Sequence, residues 1–124
     1  MVFDEIEMEF NIAEEKINHA LILLENEAYN SVVNLAYYSM FHAARGILAK
    51  KNIFPKTHKG VTHQLGNKYV HQMNFNQDIY NMFIRAQHDR YDADYELYIV
   101  FTKEDANQSI KNAKIFIEEC ERFL

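Results

Sequence analysis

The chain has 124 residues, 48% of them apolar, with 3 glycines and 1 proline. That is enough apolar material for one buried core, and the scarcity of breakers favours long helices over a turn-rich sheet fold. No run of about 18 uncharged apolar residues is present, which excludes a helical membrane span, and the single Cys120 excludes an internal disulfide.

The net charge is −5, but it is unevenly spread. Residues 28–77 contain no Asp or Glu and hold Arg45, Lys50, Lys51, Lys56, Lys59 and Lys68, so that block carries +6. The remainder, with 18 acids against 7 bases, carries −11. A dipolar protein follows. The basic half is suited to phosphates or nucleic acid, or to an acidic surface on a second copy or a protein partner. The N-terminus, MVFDEIEMEF, is acidic from its fourth residue and lacks the basic start of a signal peptide, so a cytoplasmic location is expected.

Residues 4–25 read as a helix. Ile6, Phe10, Ala13, Ile17, Ala20, Leu21 and Leu24 recur at three- and four-residue steps, with Asp4 as cap and Glu5, Glu7 and Glu9 near the positive end of the dipole. A longer helix spans 27–52. The loop NIFPKT follows, in which Pro55 stops any helix and Thr57 is placed to cap a third over about 58–72. MNFN breaks the chain again, and 77–98 reads as a fourth helix carrying Ile79, Phe83, Tyr91, Tyr95 and Tyr98. TKED at 102–105 has capping-box form and opens a last helix to about Arg122. The expectation is one domain over 1–124, all-α, an antiparallel up-and-down bundle of four to five helices.

An advance of about 100° per residue divides the stretch around LAYYSMFHAARGIL, residues 35–48, into three faces. Val33, Tyr37, Met40, Phe41, Ala44, Ile47 and Leu48 share the core face. Ser31, Asn34, Tyr38, His42 and Arg45 form a polar stripe. Val32, Ala36, Ser39, Ala43 and Gly46 form a face of small residues that admits another helix closely, within the bundle or across a dimer. On the stripe, His42 titrates near neutrality and Arg45 is suited to bidentate phosphate contact. The same pattern also fits a solvated or dimer-facing side.

Two further stretches carry chemistry. KTHKGVTHQ, 56–64, sets Lys56, His58, Lys59 and His63 around a helix start, where free N–H groups and the dipole favour an anion. RAQHDRYDADYELY, 85–98, puts Arg90 and Asp94 four apart, able to pair on one helix face, beside a phenolic stripe of Tyr91, Tyr95 and Tyr98. The six histidines include no HExxH pair and no Cys/His cluster, so no metal and no cofactor is expected, and Cys120 reads as a plain helix residue.

AYYSMFHAARGIL, then THKGV, then Arg90, Ala93, Asp94 and Tyr95 as R-x-x-A-D-Y, followed by an amphipathic helix, together resemble the HEPN superfamily over roughly residues 10–120. The likeness is greatest to its small stand-alone bacterial and archaeal branch. The resemblance implies an antiparallel helical bundle that commonly dimerises. It also implies one half of a toxin–antitoxin pair, often with a minimal nucleotidyltransferase as partner, or a binder of nucleotides or RNA. In ribonuclease members an Arg-x(4–6)-His motif cleaves RNA. This chain departs from that motif: His88 follows Arg85 too closely, and no histidine follows Arg90.

The leading expectation is a homodimer that binds a nucleotide, RNA or a cognate protein, making no membrane contact. Its binding residues are Tyr38, His42, Arg45, Lys56, His58, Lys59, Arg90, Asp94 and Tyr95. The alternatives are a metal-independent ribonuclease with a non-standard site, for which His42, His58 and Arg90 are the catalytic candidates, and a non-catalytic protein-interaction module. The discriminating question is whether His42, His58, Arg90 and Asp94 converge on one cleft.

Overall fold

Helix α2 (Tyr29–Lys50) has thirteen buried residues and packs against every other long helix. The computed structural model describes residues 2–96 and 98–124, the side chain of Val2 excepted. Around α2 lie α1 (Val2–Glu25), α3 (His58–Leu65), a π-helical turn (Gly66–Val70), the short α4 (His71–Met73), α5 (Gln77–Tyr95) and α6 (Lys103–Glu121). The fold is all-α, and no strand occurs among the described residues. Helices α1, α5 and α6 surround α2, and α3 packs against its middle through His58.

The wheel division of α2 is realised in the packing. Tyr37, Met40, Phe41, Ile47 and Leu48 meet Val61, Leu65, Tyr69, Phe75, Phe83 and Phe116 in the main core. Each large side chain enclosed in this way contributes about 1.5–3 kcal/mol. The small face is also buried, and α1 occupies it. A Cβ at Gly46 would lie 2.6 Å from the Phe10 ring, so glycine permits the close approach of the two helices. The face is therefore spent inside the subunit and is not open to a second copy.

The caps follow the sequence at two helix starts. Thr57 accepts from the Gly60 N–H at 2.9 Å. Thr102 and Asp105 form the reciprocal box, at 3.1 Å and 2.9 Å. Thr102→Ala should lower stability by about 1 kcal/mol, read as a reduced urea midpoint with an unchanged slope.

Helix α2 is shorter at each end than the expected 27–52, and three other details differ from expectation. Asp4 lies inside the first turn of α1 rather than at its cap, where its charge still suits the dipole. The third helix passes through the π-helical turn at Gly66, over which the Tyr80 hydroxyl sits while donating to the Thr62 carbonyl at 2.9 Å. Helix α5 ends at Tyr95, not at 98. There the Asn30 amide clasps the chain, donating to the Ile99 carbonyl at 3.2 Å and accepting from the Phe101 N–H at 3.0 Å. That clasp gives the Ile99 carbonyl and the Phe101 N–H partners outside a helix.

Candidate functional site

Arg90, near the end of α5, faces the aromatic side of α2. Its guanidinium carbon stands 5.6 Å from the Tyr37 ring centre and 5.9 Å from that of Tyr38. One turn on, Asp94 lies 3.7 Å from Arg90 Nη1, the pairing their spacing predicts. Asn34 of α2 holds Asp94 in place, its Nδ2 donating to the two carboxylate oxygens at 2.9 and 2.8 Å. The Arg90 side chain is only 14% exposed, and its Nε is buried with no hydrogen-bond partner among the described residues.

His58 enters this cluster from the first turn of α3. Its Nδ1 is 2.7 Å from the Tyr37 hydroxyl, and its ring centre is 4.6 Å from that of Phe41 and 5.7 Å from that of Tyr38. Thr62 Oγ1, 3.0 Å from Gln87 Oε1, ties α3 to α5 so that His58 and Arg90 share one side of α2. Burial lowers the His58 pKa, and the Arg90 charge lowers it further. Burial drives the Tyr37 phenol far above its ordinary value, with Arg90 opposing the rise only in part. At neutral pH the cluster therefore presents a cation, a neutral imidazole and a neutral Tyr37 phenol, with one carboxylate at its edge.

A lowered His58 pKa has a stability consequence. The unfolded chain takes up a proton on this histidine near pH 6.5 while the folded protein still resists it. The stabilisation is thus present above about pH 6.5 and is lost as pH falls toward the folded-state value. Thermal melts should show a decline in melting temperature from pH 7.5 to 5.5 that is shallower in His58→Gln. Parallel curves for the two proteins would contradict the assignment.

The predicted residues do not all meet. Tyr38, His58, Arg90 and Asp94 converge. His42 and Arg45 do not join them, because α1 crosses the later half of the stripe and supplies Glu9. His42 Nδ1 lies 3.4 Å from Glu9 Oε1, and Arg45 Nε lies 3.1 Å from Glu9 Oε2 as an ion pair without hydrogen-bond alignment. The Arg45 guanidinium also rests over the Phe41 ring at 5.6 Å. Lys56 and Lys59 are exposed on either side of His58. Tyr95 is exposed and packs on Tyr91, the ring centres 5.0 Å apart, while Tyr98 is almost fully exposed beyond the helix end. Tyr37 belongs to the core as the wheel indicates, but its hydroxyl makes it part of the site. The wheel places Asn34 on the polar stripe but assigns it no role, and the position of Glu9 in the chain marks it only as a charge near the helix start.

Among the described residues no group of three His, Cys, Asp or Glu side chains is disposed to hold a metal ion. None of the described helices is long and apolar enough to cross a membrane. Cys120 is buried and its thiol is pushed well up by that burial, which disfavours the thiolate.

Comparison with known proteins gives a family model, HEPN domain, matching residues 6–123. Among similar proteins, one named "Putative toxin" from Methanocaldococcus jannaschii is 35% identical over 122 residues, covering 98% of this chain and 90% of that protein. A second protein of that name and organism is 28% identical over 120 residues, covering 97% and 82%. A UPF0332 protein of Archaeoglobus fulgidus is 29% identical over 117 residues, covering 94% and 93%.

Proposed function

The chain belongs to the HEPN domain family, and from that premise we propose that it is a toxin-type HEPN domain binding a phosphate-bearing ligand, RNA or a nucleotide, at Arg90 and His58. The observation that carries the reading is Arg90 itself. Its guanidinium is largely buried beside aromatic rings, one carboxylate stands at its edge, and its Nε has no partner among the described residues. An arginine has five N–H donors in a planar fork suited to phosphate oxygens. Lys56 and Lys59, exposed close to His58 in the chain, add positive charge, and Tyr38, only partly buried, offers a ring to a base.

The test is binding of a labelled single-stranded RNA and of a nucleotide, followed by anisotropy as salt is raised. The logarithm of affinity should fall linearly with the logarithm of salt concentration. Absent or salt-insensitive binding rejects the reading. An antitoxin partner belongs to the same proposal, supported by the toxin names of the relatives, and we extend it to a homodimer and to an antitoxin of nucleotidyltransferase type. Light scattering at micromolar concentration and co-purification of the neighbouring gene product test them. An antitoxin that co-purifies with a chain unable to bind RNA or nucleotide would favour the interaction-module alternative.

One observation favours a ribonuclease: a neutral imidazole, His58, beside a cation. General base catalysis needs such a group within reach of the 2′-hydroxyl proton. Cleavage of RNA in the presence of EDTA, lost in both His58→Ala and Arg90→Ala, would replace binding with catalysis.

A further inference from the structure

The Tyr37 hydroxyl is enclosed. The residue has no exposed surface, its ring stacks on Phe83 at 5.7 Å, and His58 Nδ1 at 2.7 Å is the hydroxyl's one hydrogen-bond partner among the described residues. A phenol is a donor and an acceptor, and a neutral imidazole has one nitrogen of each kind. Two arrangements are therefore possible. In one, Tyr37 donates to Nδ1 and the imidazole proton sits on Nε2. In the other, Nδ1–H donates to the phenol oxygen, and the Tyr37 proton is left inside the core without an acceptor. A buried donor left unmade disfavours the second arrangement by roughly tenfold or more.

We propose that Tyr37 is a positioning residue that holds His58 as the neutral Nε2–H tautomer, so that His58 meets a ligand as a hydrogen-bond donor. The groups around the imidazole agree with this. Tyr37, Tyr38 and Phe41 face it from α2, and Arg90 from α5 disfavours the protonated ring. The imidazole lone pair is then on Nδ1 and already occupied by Tyr37. Nε2 has no lone pair with which to take a 2′-hydroxyl proton. Beside the guanidinium, an Nε2–H completes a donor-only pair, matched to phosphate oxygens. This consequence for the ligand rests on the phosphate-binding reading; the tautomer itself does not.

Long-range proton–nitrogen NMR of the ¹⁵N-labelled full chain at pH 7.5, without ligand, decides the matter. His58 signals are identified by their loss in His58→Gln. The expected spectrum has Nε2–H in roughly tenfold excess or more, and a slowly exchanging Tyr37 hydroxyl proton coupled to Nδ1. In Tyr37→Phe, which keeps the ring and removes the donor, that excess should shrink several-fold. A wild-type His58 protonated mainly on Nδ1 overturns the proposal, as does an unchanged tautomer ratio in folded Tyr37→Phe. Should that variant fail to fold, the wild-type spectrum and the hydroxyl coupling decide alone. Inorganic phosphate is then added to the same sample. No change at Nε2 rejects phosphate binding and leaves the tautomer standing. A phosphate response from an Nδ1–H ring rejects the tautomer and leaves binding standing.

Discussion

Arg90→Ala is expected to weaken RNA binding about 10- to 100-fold at low salt, because charge-assisted hydrogen bonds contribute about 1.5–3 kcal/mol each. The salt dependence should flatten as well, since one fewer phosphate is neutralised. Arg90→Lys keeps the charge but loses the planar fork, so it should recover part of the affinity and little of any base or phosphate geometry. The same side chain lies over Tyr37 and Tyr38, so its removal also costs about 0.5–2 kcal/mol of cation–π contact. A urea melt run beside the binding assay separates that loss from the loss of a ligand contact. Arg45→Ala is the informative control. Arg45 pairs with Glu9 rather than with the Arg90 cluster, and its charge is partly exposed, so affinity should change by no more than about twofold. Wild-type affinity in folded Arg90→Ala would remove the basis for placing the ligand here.

The control variant also shows what the sequence could and could not disclose. Helix existence is a local property: the three- and four-residue steps, Thr57, Pro55 and the Thr102–Asp105 box each act within a few residues, and those elements form where expected. The three faces of α2 are legible for the same reason, because a wheel gives the direction of each side chain about its own axis. It does not say what meets that side chain. Tyr38, His42 and Arg45 share a stripe, yet α1 covers the later part and brings Glu9 from 33 residues away to His42. Asp94 reaches Asn34 across 60 residues. Both acids lie outside the acid-free segment in sequence and fold onto it in space, so the +6 of residues 28–77 is not the charge its surface presents. The end of α5 fails for a related reason. Tyr98 continues the phenolic pattern, but the Asn30 amide, 69 residues earlier, captures the backbone of Ile99. The resemblance carried the family correctly because it used three motifs in order rather than any one spacing.

Phe83→Ala carries the largest expected cost in stability, about 3–5 kcal/mol, measured as a fall in the urea midpoint. Phe83 is fully buried and joins three helices. Its ring stacks on Tyr37 of α2 with planes 9° apart, and on Phe116 of α6 at 4.9 Å. Against a total of about 5–15 kcal/mol for a domain, a loss of that size leaves the fold marginal. Truncating Tyr98, which is almost fully exposed, should change stability by about 0.5 kcal/mol or less. The site depends on the same stack. Tyr37 is backed by Phe83 on one side, and its hydroxyl holds His58 while its ring faces Arg90. Phe83→Leu keeps most of the buried volume but not the flat face, so it should cost less stability than alanine while still weakening RNA binding. If Phe83→Leu binds RNA as the wild type does, the ring stack contributes to the core alone. If Phe83→Ala melts with the wild type, the stack is not what holds α5 against α2, and Arg90 owes its position to Asp94 and Asn34 instead.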